Sequence, residues 1–297
     1  MDWQSRLIGL YMYLDEEYHT YLWPFCQRLT KNQALPSFSD VEVLTLYFFG
    51  LMMGFKELKN IHLFAKQMLR DWFPDLVSYP SFNRRLNRIH GVFPLLIERL
   101  ESQIRTKTSL CNEYIVDSFP VIMAIHRRGD TAKVAPQLAN KGLCASKNMY
   151  FHGLKMHVVA QRRKDLMPLP VCISMNPASH NDLTVIKQLL PQFRNTALYG
   201  DKIYCHEPLQ RQLREDQQLQ FFTPAKKKKN QTTDLTMFQK LYSRSVSKTR
   251  QPIESLFNWI NQKTGIQNAS KVRSSPGLMV HAFGRIAAAM YIMAFSM

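Results

Sequence analysis

The chain has 297 residues, 45% of them hydrophobic, so it is long enough for a substantial core and too apolar to remain disordered. Lys and Arg number 39 against 22 Asp and Glu, which gives a formal charge of +17. This excess favours a polyanionic partner, most often nucleic acid and less often a membrane surface or a ribosome. The alternative is a protein that is simply kept soluble by its charge.

Several classes of protein are disfavoured by residue patterns. The five cysteines are scattered and form no C-x-x-C pair, which argues against a zinc ribbon or a disulfide framework. No basic segment followed by an apolar one opens the chain, so we expect no secretory signal. We interpret residues 44–55 and 277–297 as core helices, because the first stretch is too short to span a membrane and the second contains His281 and Arg285.

Residues 1 to about 105 are predicted to be helical. The stretch "FSDVEVLTLYFFGLM" opens with Ser39 and Glu42 at capping-box spacing, which indicates a helix start. A later helix is predicted in "SFNRRLNRIH", where apolar residues share one face. Its arginines fall together on another face, and they are Arg84, Arg85 and Arg88. With the helix predicted between these two in "FKELKNIHLFAKQML", they make three short helices, the last of which carries arginines. This arrangement is typical of a helix-turn-helix-like DNA reader, although an ordinary amphipathic helix explains the arginine pattern equally well.

From Tyr114 onwards the apolar pattern becomes that of strands. Three strands, a helix, a strand, a helix, a strand and a closing helix follow in order, and the chain is predicted to be helical from about Pro252 to its end. This order predicts an α/β layer fold with a mixed sheet.

Three acids stand out on these elements. Asp117 lies in the middle of the apolar strand "YIVDSFPV", Asp201 follows a short strand in "YGDKIY", and Glu254 lies near the start of the helix in "RQPIESLFNWI". Each has an ordinary explanation: Asp117 as half of an ion pair, Asp201 as a turn residue and Glu254 as a favourable charge at a helix start. They are far apart in the chain, so only folding can bring them together.

The chemistry changes if the three acids converge. Neighbouring carboxylates repel, and a hard divalent cation such as Mg²⁺ relieves this repulsion while keeping sites for a substrate phosphate. Two such ions can hold both the attacking and the leaving oxygen of a phosphoryl displacement. A basic protein with this kind of site is a candidate polynucleotidyl transferase or nuclease.

The three segments "IVDSFPV", "YGDKIY" and "RQPIESLFNWI" resemble the acidic motifs of insertion-sequence DDE transposases, over roughly residues 110–265. The resemblance implies an α/β fold with a ribonuclease-H-like mixed sheet flanked by helices at 110–265. A helical, helix-turn-helix-like DNA-binding domain would precede it at 1–105, and a C-terminal helix at 266–297 would pack on the core. Asp117, Asp201 and Glu254 would be the catalytic triad and would bind two Mg²⁺ or Mn²⁺ ions. Water would cut the element's end, and the freed 3′-OH would attack target DNA.

Basic residues near these motifs are candidates for DNA contacts. In related enzymes a basic residue often precedes the glutamate, as Arg250 does here, and another follows about seven positions later. Position 261 is Asn, and Lys263 comes two places late. The full predicted set is Arg84, Arg85, Arg88, Lys202, Lys226, Lys227, Lys228, Lys229, Arg250 and Lys263.

The resemblance also implies partners and a location. We expect binding to the element's terminal inverted repeats and to target DNA, a homodimer or larger assembly in the synaptic complex, no membrane partner, and a place in the bacterial cytoplasm or nucleoid. No glycine-rich phosphate loop is present, so we expect no ATP. Two alternatives stay open: a non-catalytic DNA-binding protein derived from a transposase, and a ribonuclease-H-like nuclease that does not join strands.

Overall fold

The computed structural model describes residues 2–26, 35–144, 148–227 and 234–295, apart from the side chains of residues 126 and 127. The chain divides into two compact units. One, called the helical unit here, comprises residues 1–103 and 260–297; the other, called the sheet unit, comprises residues 104–259. The predicted domain boundary near residue 105 lies beside this division, and the C-terminal residues group with the N-terminal helices.

The N-terminal part of the chain is helical, as its apolar periodicity predicts. Its helices are α1 (Trp3–Glu17), which continues through a π-helical turn (Tyr18–Leu22) into α2 (Trp23–Cys26), then α3 (Asp40–Met52), α4 (Leu58–Met68), α5 (Tyr79–Arg88) and α6 (Val92–Lys107). The predicted capping box is confirmed at the start of α3. There Ser39 Oγ accepts a hydrogen bond from the Glu42 N–H, and the Glu42 carboxylate accepts one from the Ser39 N–H.

The middle of the chain alternates strands and helices. The elements are β1 (Leu110–Ile125), α7 (His126–Thr131), β2 (Asn140–Cys144), β3 (Met149–Arg163), β4 (Leu166–Pro177), α8 (Asp182–Leu189), β5 (Ala197–Tyr199), α9 (Glu207–Gln217), β6 (Gln220–Phe222), α10 (Met237–Arg250) and α11 (Pro252–Thr264). Helices α12 (Ser275–Met279) and α13 (Arg285–Phe295) follow, joined by a π-helical turn (Val280–Gly284).

One mixed sheet forms the frame of the sheet unit. Its strand order is β2-β3-β1-β5-β6, and β4 pairs with β3 outside this path. Strand β1 is central: it runs antiparallel to β3 on one side and parallel to β5 on the other. The predicted fold class, an α/β ribonuclease-H-like mixed sheet with flanking helices after a helical N-terminal region, is therefore confirmed. Strand β2 and helix α10 were not predicted.

The prediction of unbroken helix from Pro252 to the end of the chain is wrong. Helix α11 stops at Thr264, and residues 265–274 form a loop before α12. Gly265 adopts a left-handed conformation with φ of 69°, and its N–H donates to the Asn261 carbonyl. A left-handed glycine directly after the last turn is a common helix ending, because glycine has no Cβ to clash there.

The segment Ser275–Phe295 is long and apolar enough to cross a membrane by length and composition alone, with a mean hydropathy of 1.5. Within the helical unit, however, 72% of the most apolar 18-residue window of this segment is buried. Tyr291 lies with its ring 5.3 Å from that of Tyr13 and 6.3 Å from that of Phe48. This burial agrees with the interpretation as a core helix.

The three arginines predicted to share an exposed face of α5 divide into two groups. Arg84 and Arg88 are exposed, but Arg85 is only 6% exposed. One Nη of Arg85 donates to Asp40 Oδ1 at 2.6 Å, and the other donates to the Phe38 carbonyl. The expectation that Arg85 contacts DNA is therefore corrected, because its guanidinium is committed to an internal ion pair.

This ion pair generates a stability prediction. Replacing Arg85 by Ala removes one member of the buried Arg85–Asp40 ion pair, and breaking a buried pair in this way costs about 3–5 kcal/mol. We expect a loss of that order in the free energy of unfolding, measured with urea. The exposed neighbour Arg84→Ala is the matched control, with a change within about 0.5 kcal/mol. Equal losses in the two variants would contradict the buried pair.

Candidate active site

The register of two parallel strands aligns the first two acids. Ile115 of β1 pairs with Tyr199 of β5. Asp117 and Asp201 each lie two residues beyond that pair, at the carboxyl ends of the paired segments. Because side chains alternate along a strand, two positions the same distance past a paired residue point to the same face. The sheet thus brings Asp117 and Asp201 to one place.

The turn that carries Asp201 is fixed by close packing. The Gly200 N–H donates to the Phe222 carbonyl of β6 at 3.0 Å. A Cβ at Gly200 would lie 2.9 Å from both the Phe221 and the Tyr204 rings, so a side chain here would displace one of them. Gly200 therefore has a packing role in addition to its role in the turn. Because it lacks a Cβ, the end of β5 can pack closely against the rings of Phe221 and Tyr204.

The third acid, Glu254, lies in the first turn of α11. Pro252 starts this helix, where a missing N–H costs no hydrogen bond. Ile253, Leu256 and Phe257 are buried, as their helical spacing predicts, and the Phe257 ring lies 4.7 Å from that of Phe119 on β1. This contact seats the first turn of α11 beside the part of β1 that carries Asp117. Glu254 lies in that turn, with 54% of its side chain exposed.

Arg250 connects two of the three acids. Its Nη1 donates to Asp117 Oδ2 at 2.6 Å, and its Nη2 donates to Glu254 Oε1 at 2.6 Å. The side chains of Arg250 and Asp117 are only 13% and 24% exposed, so the bond between them is little screened by water, whereas the bond to Glu254 is exposed. The sequence analysis assigned Arg250 to DNA, whereas here its guanidinium bridges the strand acid and the helix acid.

The pKa of Asp117 depends on burial, on its hydrogen-bond donors and on the two neighbouring acids. Burial is the largest effect and raises the pKa of Asp117 to about 6. Arg250 and the Ser118 N–H, which donates to Asp117 Oδ1 at 2.8 Å, act in the opposite direction, while the negative charges of Asp201 and Glu254 raise the pKa again. The three acids therefore share one electrostatic environment in which negative charge is in excess.

Within the described part of the chain, no three His, Cys, Asp or Glu side chains are arranged so that they could hold a metal ion as they stand. The guanidinium of Arg250 instead occupies oxygens of Asp117 and Glu254 that such an ion would use. All three acids offer only oxygen donors, the type that Mg²⁺ and Mn²⁺ prefer.

A second group of polar side chains lies beside Asp117 and is centred on one acid, Asp182. The sequence did not single out this group. Asp182 of α8 is buried, and its carboxylate accepts from His157 Nε2 at 2.8 Å, Lys155 Nζ at 3.3 Å and Ser118 Oγ at 3.3 Å. Burial opposes ionisation, but the hydrogen bond and charge of His157 together with Lys155 lower the pKa of Asp182 below its usual value. The residue before it, Asn181, caps the start of α8 by accepting hydrogen bonds from the Leu183 and Thr184 N–H groups.

Tyr204 and Ser118 connect the two clusters. Tyr204 is almost fully buried, and burial raises the pKa of its hydroxyl, with further contributions from the charges of Asp117, Asp182 and Asp201. Ser118 bonds to Asp117 through its N–H and to Asp182 through its hydroxyl. Ser118 and His157 are directly opposite each other on the paired strands β1 and β3, a register that only the folded structure shows.

The remaining predicted DNA contacts are distributed over the surface. Lys202 is exposed directly after Asp201, and Lys263 is exposed on α11. Lys226 and Lys227 are exposed after β6, and Lys227 pairs with Asp234 at 2.8 Å. Lys228 and Lys229 lie outside the described residues. None of these contacts is tested by the structure, and they stay predictions.

The raised pKa of Asp117 generates a pH prediction. Between about pH 4 and 6 the native state holds a proton on Asp117 that the unfolded chain has lost, so the wild type loses stability as the pH rises through this window. Asp117→Asn lacks this titration. Its free energy of unfolding, relative to wild type, should therefore increase by roughly 2–3 kcal/mol from pH 4 to pH 7.

Urea unfolding at several pH values measures this difference. Asp216→Asn, at an exposed acid on α9, is the control and should run parallel to the wild type. If the difference between Asp117→Asn and wild type stays constant from pH 4 to pH 7, Asp117 titrates at its ordinary value and the crowded carboxylate is not there.

Comparison with known proteins agrees with this geometry. The model of a protein family described as "Transposase DDE domain" matches residues 114–291, which is more than half of the chain and includes all three acids. No curated protein and no solved structure matches the chain significantly. The chain belongs to the family of proteins with a transposase DDE domain.

Proposed function

We propose that this protein is a transposase that cleaves the ends of an insertion sequence and joins them to target DNA by two-metal-ion phosphoryl transfer. Membership in the DDE domain family supports transposase-type function in general. The observation that carries the specific proposal is the crowding of Asp117, Asp201 and Glu254. Burial, and to a smaller extent the charges of the other two acids, raise the pKa of Asp117. A site with this excess of negative charge is suited to cations and to the phosphates they bind.

The donor set fits the ions proposed. Enzymes of this family normally use divalent metals. Asp117, Asp201 and Glu254 would hold two Mg²⁺ or Mn²⁺ ions, which when bound supply positive charge to the attacking and leaving oxygens of the scissile phosphate. Arg250 neutralises two of the same carboxylates when no ion is bound, so the guanidinium and the ions would compete for those oxygens.

Other residues of the chain fix the positions of the three acids that would hold the metal ions. The sheet register holds Asp117 beside Asp201, the Ser118 N–H orients the Asp117 carboxylate, and the Phe119–Phe257 contact seats Glu254. Phosphoryl transfer gains most from such positioning and from charge neutralisation. Water first hydrolyses a phosphodiester at the element's end, and the 3′-OH that is freed then attacks a phosphodiester of the target.

The basic residues complete the DNA site in this proposal. Lys202 lies next to Asp201, and Lys226 to Lys229 follow β6, where they would contact backbone phosphates and make binding depend on salt. Arg84 and Arg88 of α5 and Lys263 of α11 would make further contacts. Because two element ends must be processed together, we propose a homodimer or larger assembly in the synaptic complex, acting in the bacterial cytoplasm or nucleoid.

The first test is strand cleavage by acid variants. Asp117→Asn, Asp201→Asn and Glu254→Gln each remove one metal ligand without a large change in size. Each should lower cleavage of a labelled duplex from the DNA that flanks the coding frame by at least about a thousandfold, a loss typical of groups essential to the chemical step. Duplex binding should be retained, because phosphate contacts come from basic residues.

Asp216→Asn and Glu215→Gln, at exposed acids on α9, are the matched controls and should cleave normally. Wild-type protein that shifts the duplex but does not nick it would indicate the non-catalytic DNA-binding alternative. Nicked DNA without joined products would indicate the nuclease alternative. Full cleavage by Asp117→Asn would eliminate the proposed site.

The second test concerns competition at the carboxylates. Arg250→Gln removes the guanidinium that bridges Asp117 and Glu254, so Mn²⁺ should bind several-fold more tightly than in wild type, as measured by electron paramagnetic resonance. The measurement is made near pH 8, because losing Arg250 raises the pKa of Asp117 further. Arg244→Gln, exposed on the same helix, is the control for net charge. Weaker Mn²⁺ binding in Arg250→Gln would contradict competition.

A further inference from the structure

The helical unit contains a cavity of about 610 Å³ that the proposed chemistry does not use. It is formed by the start of α4, one face of α5, the loop between α11 and α12, and Arg285 of α13. Its volume is within the range of pockets that bind small ligands. All of its lining residues belong to the helical unit.

Arg285 forms the deep end of this cavity. Only 6% of the residue is exposed, and one Nη donates to the Lys56 carbonyl. Its Nε and the other Nη are buried and have no hydrogen-bond partner among the described residues. A buried cation is costly unless an anion pairs with it, and among the described residues no carboxylate contributes to the electrostatic environment of Arg285, whose pKa burial lowers. The guanidinium is therefore placed to receive an anion from outside.

The side chains at the mouth of the cavity are mainly positively charged, as Arg285 is. Lys56, Lys59, Lys271 and Arg273 line it and are exposed, and Glu57 is the one acid among the lining residues. Burial, followed by the charge of Arg285, lowers the pKa of His281 well below its usual value, so this lining imidazole is neutral at pH 7. With five cations against one acid, the cavity favours an anion strongly.

The α5 wall adds polar groups suited to a nucleotide. Tyr79, Asn83 and Asn87 are four residues apart in succession and line the cavity as one stripe. Asn87 Oδ1 is buried and has no hydrogen-bond partner in the described residues. Amides can bond to sugar or base edges, and an aromatic ring offers a surface for stacking.

The loop that closes the cavity is held against Arg285. A Cβ at Gly265 would lie 2.9 Å from Lys56 Cδ and 3.3 Å from Arg285 Nη1. The left-handed glycine therefore brings the backbone of the 265–274 loop close to the guanidinium. From there the loop carries Lys271 and Arg273 to the cavity mouth.

We propose that this cavity is a phosphate-binding site that holds a backbone phosphate of DNA, with Arg285 as its anchor and Lys271 and Arg273 at its entrance. Arginine binds phosphate through paired N–H donors, and Arg285 has unused donors on adjacent nitrogens. The choice of DNA, rather than a free nucleotide, as the source of the phosphate rests on the proposed function.

The test compares two double variants with the same change in charge. Lys271→Gln/Arg273→Gln removes two cations at the entrance, and Lys66→Gln/Arg70→Gln removes two exposed cations elsewhere in the helical unit. Duplex binding is measured with EDTA in an Asp117→Asn background, so cleavage does not enter. The entrance variant should bind about tenfold more weakly, and the magnitude of its salt slope should fall by roughly one per lost phosphate contact. The control should change much less.

A second arm identifies the source of the phosphate. Inorganic phosphate and thymidine monophosphate are added separately to the two double variants and to Arg285→Met, and Tm is recorded. Both probes should raise the Tm of the control variant but not of Arg285→Met, whose folding is checked by circular dichroism. If Arg285→Met does not fold, the entrance variant decides the result alone.

Loss of duplex affinity in the entrance variant supports the DNA source. Unchanged duplex affinity with loss of the monophosphate effect would assign the cavity to free nucleotides and overturn the DNA source. Equal behaviour of the entrance and control variants with every probe would overturn the site altogether. Because no cleavage is measured, failure of this inference is distinguishable from failure of the proposed catalytic function.

Discussion

Negative charge around Asp117, in the middle of the central strand β1, is the constraint on which the sheet unit depends. Asp117 is largely buried, and its neighbours Asp201 and Glu254 make its ionisation still harder. Arg250 partly neutralises this charge, because it donates one hydrogen bond of 2.6 Å to Asp117 and one of 2.6 Å to Glu254. The parallel β1–β5 register, the packed Gly200 turn and the seating of α11 on β1 all bring like charges together, so a positive charge at this place stabilises the ionised acids.

The features that could be predicted from sequence are those with a local pattern. The capping box at Ser39, the apolar stripe of α11 and the order of strands each follow from residues a few positions apart. The ion pairs could not be predicted, because their members are distant: Arg85 and Asp40 are 45 residues apart, and Arg250 and Asp117 are 133. The helical spacing of Arg250 and Glu254 was visible, but only the fold shows that Asp117 shares the same guanidinium.

The protein has two sites at which buried charge is not fully balanced by neighbouring residues. In the sheet unit, Arg250 bridges two of three neighbouring carboxylates, those of Asp117 and Glu254. In the helical unit, Arg285 is buried without any carboxylate partner among the described residues. Each is a buried charge that the surrounding chain does not fully balance, and such a charge is tolerated most readily where a ligand of opposite sign binds. We propose divalent cations as the ligand of the first site and phosphate as the ligand of the second, which are two components of a phosphoryl-transfer complex on DNA.

The most direct measurement of the central claim is diffraction from crystals soaked in Mn²⁺, with data collected at the manganese absorption edge. The account predicts an anomalous peak bounded by the carboxylates of Asp117, Asp201 and Glu254, with the Arg250 guanidinium moved away from at least one of them. Manganese peaks found only elsewhere, with Arg250 still bridging Asp117 and Glu254, would contradict it.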